Sequence, residues 1–206
     1  NADRLLFIKN EQGMYVMYTN GPTTAIQPKF YGTGTTKYDI ISGDATVTTD
    51  DAGNNTVKYL TDGILSMHVP AVAPFVHEFT TKKETVKITL DFGEYRNIAA
   101  IMIYNSKNYA DTFDSITKIE MEAKLNDAEF TAVIDNLQFY WNRYSNGSAM
   151  RPGGSAVAAF NEMGVKKITI TVSPDVNNPA YQENKANGTA ALGISEIYVL
   201  GVPKAN

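Results

Sequence analysis

A side-chain alternation of period two runs through this chain and confines its fold more tightly than any motif does. In Val86-Lys87-Ile88-Thr89-Leu90-Asp91-Phe92 every second residue is apolar, the pattern of a strand with one face buried and the other wet. Thr117, Ile119, Met121, Ala123 and Leu125 alternate with Lys118, Glu120, Glu122 and Lys124. Glu129 to Ile134 follows across Asn126-Asp127, so the spacing predicts a hairpin. Lys166, Ile168, Ile170 and Val172 alternate with Lys167, Thr169 and Thr171, and Pro174-Asp175 ends that strand. Ile98 to Tyr104 is almost continuously apolar and reads as a central strand covered on both sides, while Ile194 to Leu200 is a final strand closed by Gly201 and Pro203. No long stretch keeps a 3.6-residue period. Gly154 to Glu162 fits a turn of helix or a strand, Tyr181 to Asn187 fits a short helical turn, and Asp50 to Asn55 reads as a hairpin turn. Strands without crossover-length helices pair antiparallel and exclude doubly wound and barrel-type α/β folds. The expected architecture is all-β, an antiparallel two-sheet sandwich.

The first 37 residues are less regular. Leu5 to Ile8 and Met14 to Tyr18 pair across a polar Gly-containing turn, and they either add strands to the sandwich or are the remnant of a preceding domain. The organisation expected is therefore residues 1–37 as N-terminal strands or remnant, and 38–206 as the sandwich. A chain of 206 residues is long enough for one large β domain, with or without such an appendage.

Composition removes several function classes. Lys plus Arg number 18 against 22 Asp plus Glu, a net charge of -4, so no basic excess points to nucleic acid or an acidic membrane surface. No apolar run is long enough to cross a bilayer, so membrane insertion is not expected. With no Cys, disulfides, thiolate zinc sites and cysteine nucleophiles are excluded. No Ser lies in a Gly-x-Ser-x-Gly elbow and no phosphate loop is present, so intrinsic catalysis is not expected. The chain opens on Asn1 without a signal peptide, the expectation for a processed or excised piece of a longer protein. Its richness in Asn, Thr, Gly and Tyr suits a secreted, periplasmic or cell-surface location.

Three segments, in order, carry a family resemblance. Leu60-Thr61-Asp62-Gly63 follows a Thr-rich strand; Thr85 to Gly93 leads into the strand Ile98 to Tyr104; and Val165 to Val172 precedes Gly193 to Gly201. Over roughly residues 38 to 201 this arrangement resembles the galactose-binding-like jelly-roll superfamily, which includes discoidin and coagulation-factor type C domains and related bacterial carbohydrate-binding modules. It departs from the family pattern after Asp62-Gly63, where no aromatic occurs until Phe75, and at Val165-Lys166-Lys167, where a basic-aromatic pair is usual. The resemblance implies a jelly-roll sandwich and a structural Ca2+ near the Asp-Gly turn, with Asp62 and Glu196 among its oxygen ligands. The plainer alternative is that Asp62 caps its own turn and Glu196 is a solvated strand residue.

The resemblance also implies a glycan site on the loops. Phe139 to Gly147 holds the single Trp of the chain. Sugars present an apolar face and a polar rim, which suits Trp141 or Tyr144 as a platform beside Arg143 and Asn142 as directional donors. Tyr109 and Asn108, after the central strand, and His68 are further candidates for the rim. Against this, the aromatics fill the end of the core and the polar residues are ordinary loop groups. Two functions remain open. One is a noncatalytic carbohydrate-binding accessory domain of a secreted or cell-surface multidomain protein, with catalytic or adhesive domains elsewhere in the parent chain. The other is a structural or protein-interaction sandwich without a sugar site.

Overall fold

The structure is a computed structural model that describes residues 38–64, 77–139 and 153–205 in full, and the backbone of two strands at 4–9 and 15–20. The strands are β1 (Arg4–Lys9), β2 (Tyr15–Asn20), β3 (Asp39–Ile40), β4 (Thr46–Thr49), β5 (Phe79–Thr81), β6 (Val86–Asn105), β7 (Ser115–Leu125), β8 (Ala128–Gln138), β9 (Ser155–Val172) and β10 (Leu192–Gly201). Among the described residues one α-helix, α1 (Pro179–Ala186), lies between β9 and β10. β1 and β2 pair with each other as a separate two-stranded sheet, and β2 lies against β9.

The remaining strands form one continuous ladder in the order β3-β10-β6-β9-β7-β8, with β4 added on β6 and β5 on β10. Two long strands fold this ladder into two layers. Val86 to Asp91 of β6 pair with β4 and with Lys167 to Val172 of β9, whereas Ile98 to Tyr104 pair with β10 and with Ser155 to Met163. Between these halves the register shifts, and Gly93 adopts φ 72 with its N–H donating to Asp91 Oδ1 at 2.8 Å. That backbone region is costly for a residue with a Cβ, so the bend falls where the sequence offers glycine. Sequence reading expects two strands over 86–104; the structure has one 20-residue strand bent in the middle.

The layers close on a single apolar cluster. Ile88, Leu90, Ile119, Met121, Ile168 and Ile170 come from one layer, and Ile101, Ile103, Ile197 and Val199 from the other. The β7–β8 hairpin turns at Asn126 and Asp127, with φ 49 and 64, as its Asn-Asp turn demands. Gly154 to Glu162 resolves as strand, and the helical turn near Tyr181 is α1. Two expectations are corrected. Leu125 is half exposed, because it sits at the hairpin tip beyond the facing layer. Asp50 to Asn55 is not a hairpin turn: β4 pairs with β6, and the chain passes instead into a short 3-10 turn, Val57–Tyr59.

The bend in β6 brings both of its ends to one pole. Val86 pairs with Val172, Tyr104 pairs with Ser155, and the Asp175 N–H donates to the Thr112 carbonyl at 3.0 Å. The loops after β4, β6 and β9 therefore gather there, and the opposite pole is closed by buried Arg96, which reaches Asp44 at 2.8 Å and the Val202 carbonyl at 3.1 Å.

Candidate ligand end and candidate metal centre

At the loop pole the segment Ser106–Asp114 is fixed from several sides. Buried Glu78, just before β5, accepts from Ser106 Oγ at 2.6 Å, the Lys107 N–H at 3.1 Å and Ser195 Oγ at 3.0 Å. Ser106 Oγ in turn accepts from the Asn108 N–H at 2.9 Å. Asn105, fully buried, clasps Phe113 by two hydrogen bonds of 2.7 and 3.1 Å. Such a closed set of partners holds the loop in one shape without leaving a buried group unpaired. Behind it, Asn178 caps α1 through Oδ1 and donates Nδ2 to the Tyr109 carbonyl and to Thr112 Oγ1, tying α1 to the short 3-10 turn Tyr109–Asp111.

Two of the expected glycan contacts can be placed here. Asn108 is exposed, but its amide is engaged within the loop: Nδ2 donates to Asp111 Oδ2 at 2.8 Å and Oδ1 accepts from the Ala110 N–H at 3.3 Å. Tyr109 is half-buried beside it. Trp141, Asn142, Arg143, Tyr144 and His68 lie outside the described residues. The residues that flank the segment bearing four of them do sit at this pole. Phe139 packs edge to face on Phe113, with ring centroids 5.2 Å apart, and the Gly153 N–H donates to the Ser106 carbonyl at 2.7 Å.

Sequence reasoning missed Lys107 and Glu78. Lys107 is half-buried; burial pushes its pKa down, and the charge of Glu78 works the other way. The carboxyl of Asp111 is pushed up to about 6, first by burial and further by Glu78, with the Asn108 hydrogen bond opposing. A lone Glu before an apolar strand was the available signal at Glu78, but its partners lie 28 and 117 residues away.

The second constellation lies on the outer face of β10. Ile197 and Val199 face the core cluster, so alternation turns Glu196 and Tyr198 outward. Both are nevertheless buried, which overturns the reading of Glu196 as a solvated residue. Tyr198 meets Tyr104 edge to face at 5.6 Å. The Asp62-Gly63 turn lies over Glu196: the Leu60 carbonyl accepts from the Ile197 N–H at 2.7 Å, and Glu196 Oε1 accepts from the Gly63 N–H at 3.4 Å. Among the described residues, Glu196 Oε2 and Tyr198 Oη have no hydrogen-bond partner. Burial pushes the Glu196 carboxyl up to about 10, and the charge of Asp62 adds to that. Asp62 caps its own turn, Oδ1 accepting from the Ile64 N–H at 3.0 Å, while Oδ2 meets His77 Nε2. His77 also stacks on Tyr59, with ring centroids 4.1 Å apart, a role its sequence setting did not announce.

Fold and loops together define an antiparallel β-sandwich with a structured polar pole. No protein-family model and no curated protein matches the chain. Among solved structures, it is similar to the CBM32-1 and CBM32-2 domains of ZmpB from Clostridium perfringens, at 14% identity and TM-score 0.49, over 80% of this chain and 37% of that one. It is also similar to the family 32 carbohydrate-binding module of C. perfringens NanJ in complex with galactose, at 14% identity and TM-score 0.46, covering 79% of this chain and 98% of that one. A third is CpGH89CBM32-5 from C. perfringens in complex with GalNAc-β-1,3-galactose, at 17% identity and TM-score 0.45, covering 77% and 96%.

Proposed function

We propose that the chain is a noncatalytic carbohydrate-binding accessory domain of a secreted or cell-surface multidomain protein, with its glycan site on the loop pole. The observation that carries this reading is the Ser106–Asp111 loop. It is held rigid from below by Glu78, Asn105 and Asn178, yet it keeps Asn108 exposed and Lys107 and Tyr109 half exposed. A preformed polar rim of this kind reduces the ordering cost of binding a flexible hydroxylated ligand. Trp141, Asn142, Arg143, Tyr144 and His68 are proposed to complete it with an aromatic platform and further donors. A glycan array that includes galactose- and GalNAc-terminated sugars tests this, comparing wild type with Trp141→Ala/Arg143→Ala. Binding that the double variant loses supports the site, and silence of the wild type across all glycans rejects it.

One observation favours the alternative of an interaction sandwich without a sugar site: among the described residues β8 is an edge strand, with Phe130 and Val133 43% and 48% exposed.

The domain is further proposed to hold a structural Ca2+ at Asp62 and Glu196. Supporting this, Glu196 has a buried oxygen without a partner and lies beside a second carboxylate, an arrangement that a hard divalent cation relieves. When bound, the ion supplies charge compensation between the Asp-Gly turn and β10, and it stabilises the fold by binding only the native state. With an excess of calcium chelator the melting temperature is expected to drop by several degrees, and Glu196→Gln is expected to abolish the calcium response. Identical melting curves with calcium and with chelator would remove the ion from the account.

A further inference from the structure

Lys107 differs from the other described lysines that make ion pairs. Lys83, Lys118, Lys124, Lys167, Lys185 and Lys204 each pair with an acid, and among the described residues Lys107 does not. The arm of Lys107 is instead laid along Gly153, where an added Cβ would fall 2.2 Å from Nζ and 2.7 Å from Cδ and Cε. Gly153 is fixed by its bond to the Ser106 carbonyl and by φ 70, so the direction of the lysine arm is set by the backbone beneath it. The acid acting on this ammonium is Glu78, yet both Glu78 oxygens already accept from neutral donors: Ser106 Oγ, Ser195 Oγ and the Lys107 N–H. Among the described residues no hydrogen bond or ion pair ends on Lys107 Nζ.

An ammonium taken out of water without a paired anion is costly. A neutral hydroxyl satisfies one of its three donor directions but returns little of the lost charge solvation, whereas a carboxylate does both. Part of the side chain remains exposed, so a ligand can reach it. We propose that Lys107 is the anchor for a carboxylate on the ligand, so that the loop pole takes a glycan bearing an acidic sugar, a uronic or a sialic acid. This rests on the glycan-binding reading above and narrows it.

The test is titration calorimetry with oligogalacturonate, oligomannuronate and sialyllactose, each beside its carboxyl-reduced counterpart. The proteins are wild type, Lys107→Met, Lys107→Arg and Gly153→Ala, with folding checked by circular dichroism. Wild type is expected to prefer at least one acidic ligand over its reduced partner by about tenfold, and the preference should shrink as salt is raised. Lys107→Met should bind both forms equally weakly, and Lys107→Arg should retain the preference. Gly153→Ala displaces the lysine arm and should lose the preference with Lys107 intact. Equal affinity of wild type for acidic and reduced forms, or a preference that survives in Lys107→Met, overturns the inference while leaving a neutral-glycan site standing. No binding here combined with a silent glycan array overturns both.

Discussion

Asp111 carries an acid where its charge is disfavoured. It is buried at the end of the 3-10 turn, within reach of the Glu78 charge, and burial pushes its carboxyl up to about 6, above the usual carboxylate range. A folded-state pKa above the unfolded one means that the native state binds the proton more tightly. This contribution to stability is complete below about pH 4 and is lost as the pH rises through about 6. Asp111→Asn keeps an acceptor for Asn108 and removes the titration. Relative to wild type it should therefore be more stable at pH 8 than at pH 4.5, by at most about 3 kcal/mol. Denaturant melts at the two pH values measure this, and parallel pH profiles for the two proteins would contradict it. Neither this acid nor Lys107 stood out in the sequence, where Asn105 to Phe113 reads as one polar loop. Its chemistry is created by Glu78, Gly153 and Asn178, which the fold brings in from three other segments.

The elements themselves were far more legible, for a physical reason. Period-two alternation reports half-burial directly, so Val86 to Phe92, Ile119 to Ala123 and Ile168 to Val172 were readable without any partner in view. The continuity of β6 was hidden, because Gly93-Glu94-Tyr95 is exposed and resembles a turn. The Glu196 side chain was hidden too: β10 is buried on both faces, and nothing in an apolar run distinguishes a buried acid from a solvated one. At the closed pole, Gly201 ends β10 where an added Cβ would meet Ile41 Cδ1 at 2.5 Å and the Asn97 carbonyl oxygen at 2.7 Å. Gly201→Ala is expected to cost about 1–3 kcal/mol through forced displacement of that backbone. It should lower the denaturation midpoint without altering behaviour at the loop pole. An unchanged midpoint would mean that the β3–β10 junction yields more easily than its packing indicates.

On the scale of the whole molecule, the ladder leaves β8 with one edge unpaired among the described residues. This strand carries Glu129 and Asp135 but no Lys or Pro, and its Val133 is nearly half exposed. Such an edge invites pairing with another chain. Val133→Lys should suppress concentration-dependent self-association, read by light scattering, and change stability by less than about 0.5 kcal/mol. A wild type that stays monomeric at high concentration would show that the edge is protected in another way. At the other side of the ladder, β10 is flanked by β3 and β5 on one edge and by β6 on the other, and the Ile41 N–H reaches the Val199 carbonyl at 2.8 Å. The last strand of the sandwich in chain order is thus the keystone of its own layer. β3 and β5, which among the described residues pair with β10 alone, have nothing to zip onto until that strand is made, so this layer closes only after the other strands of the sandwich have been synthesised.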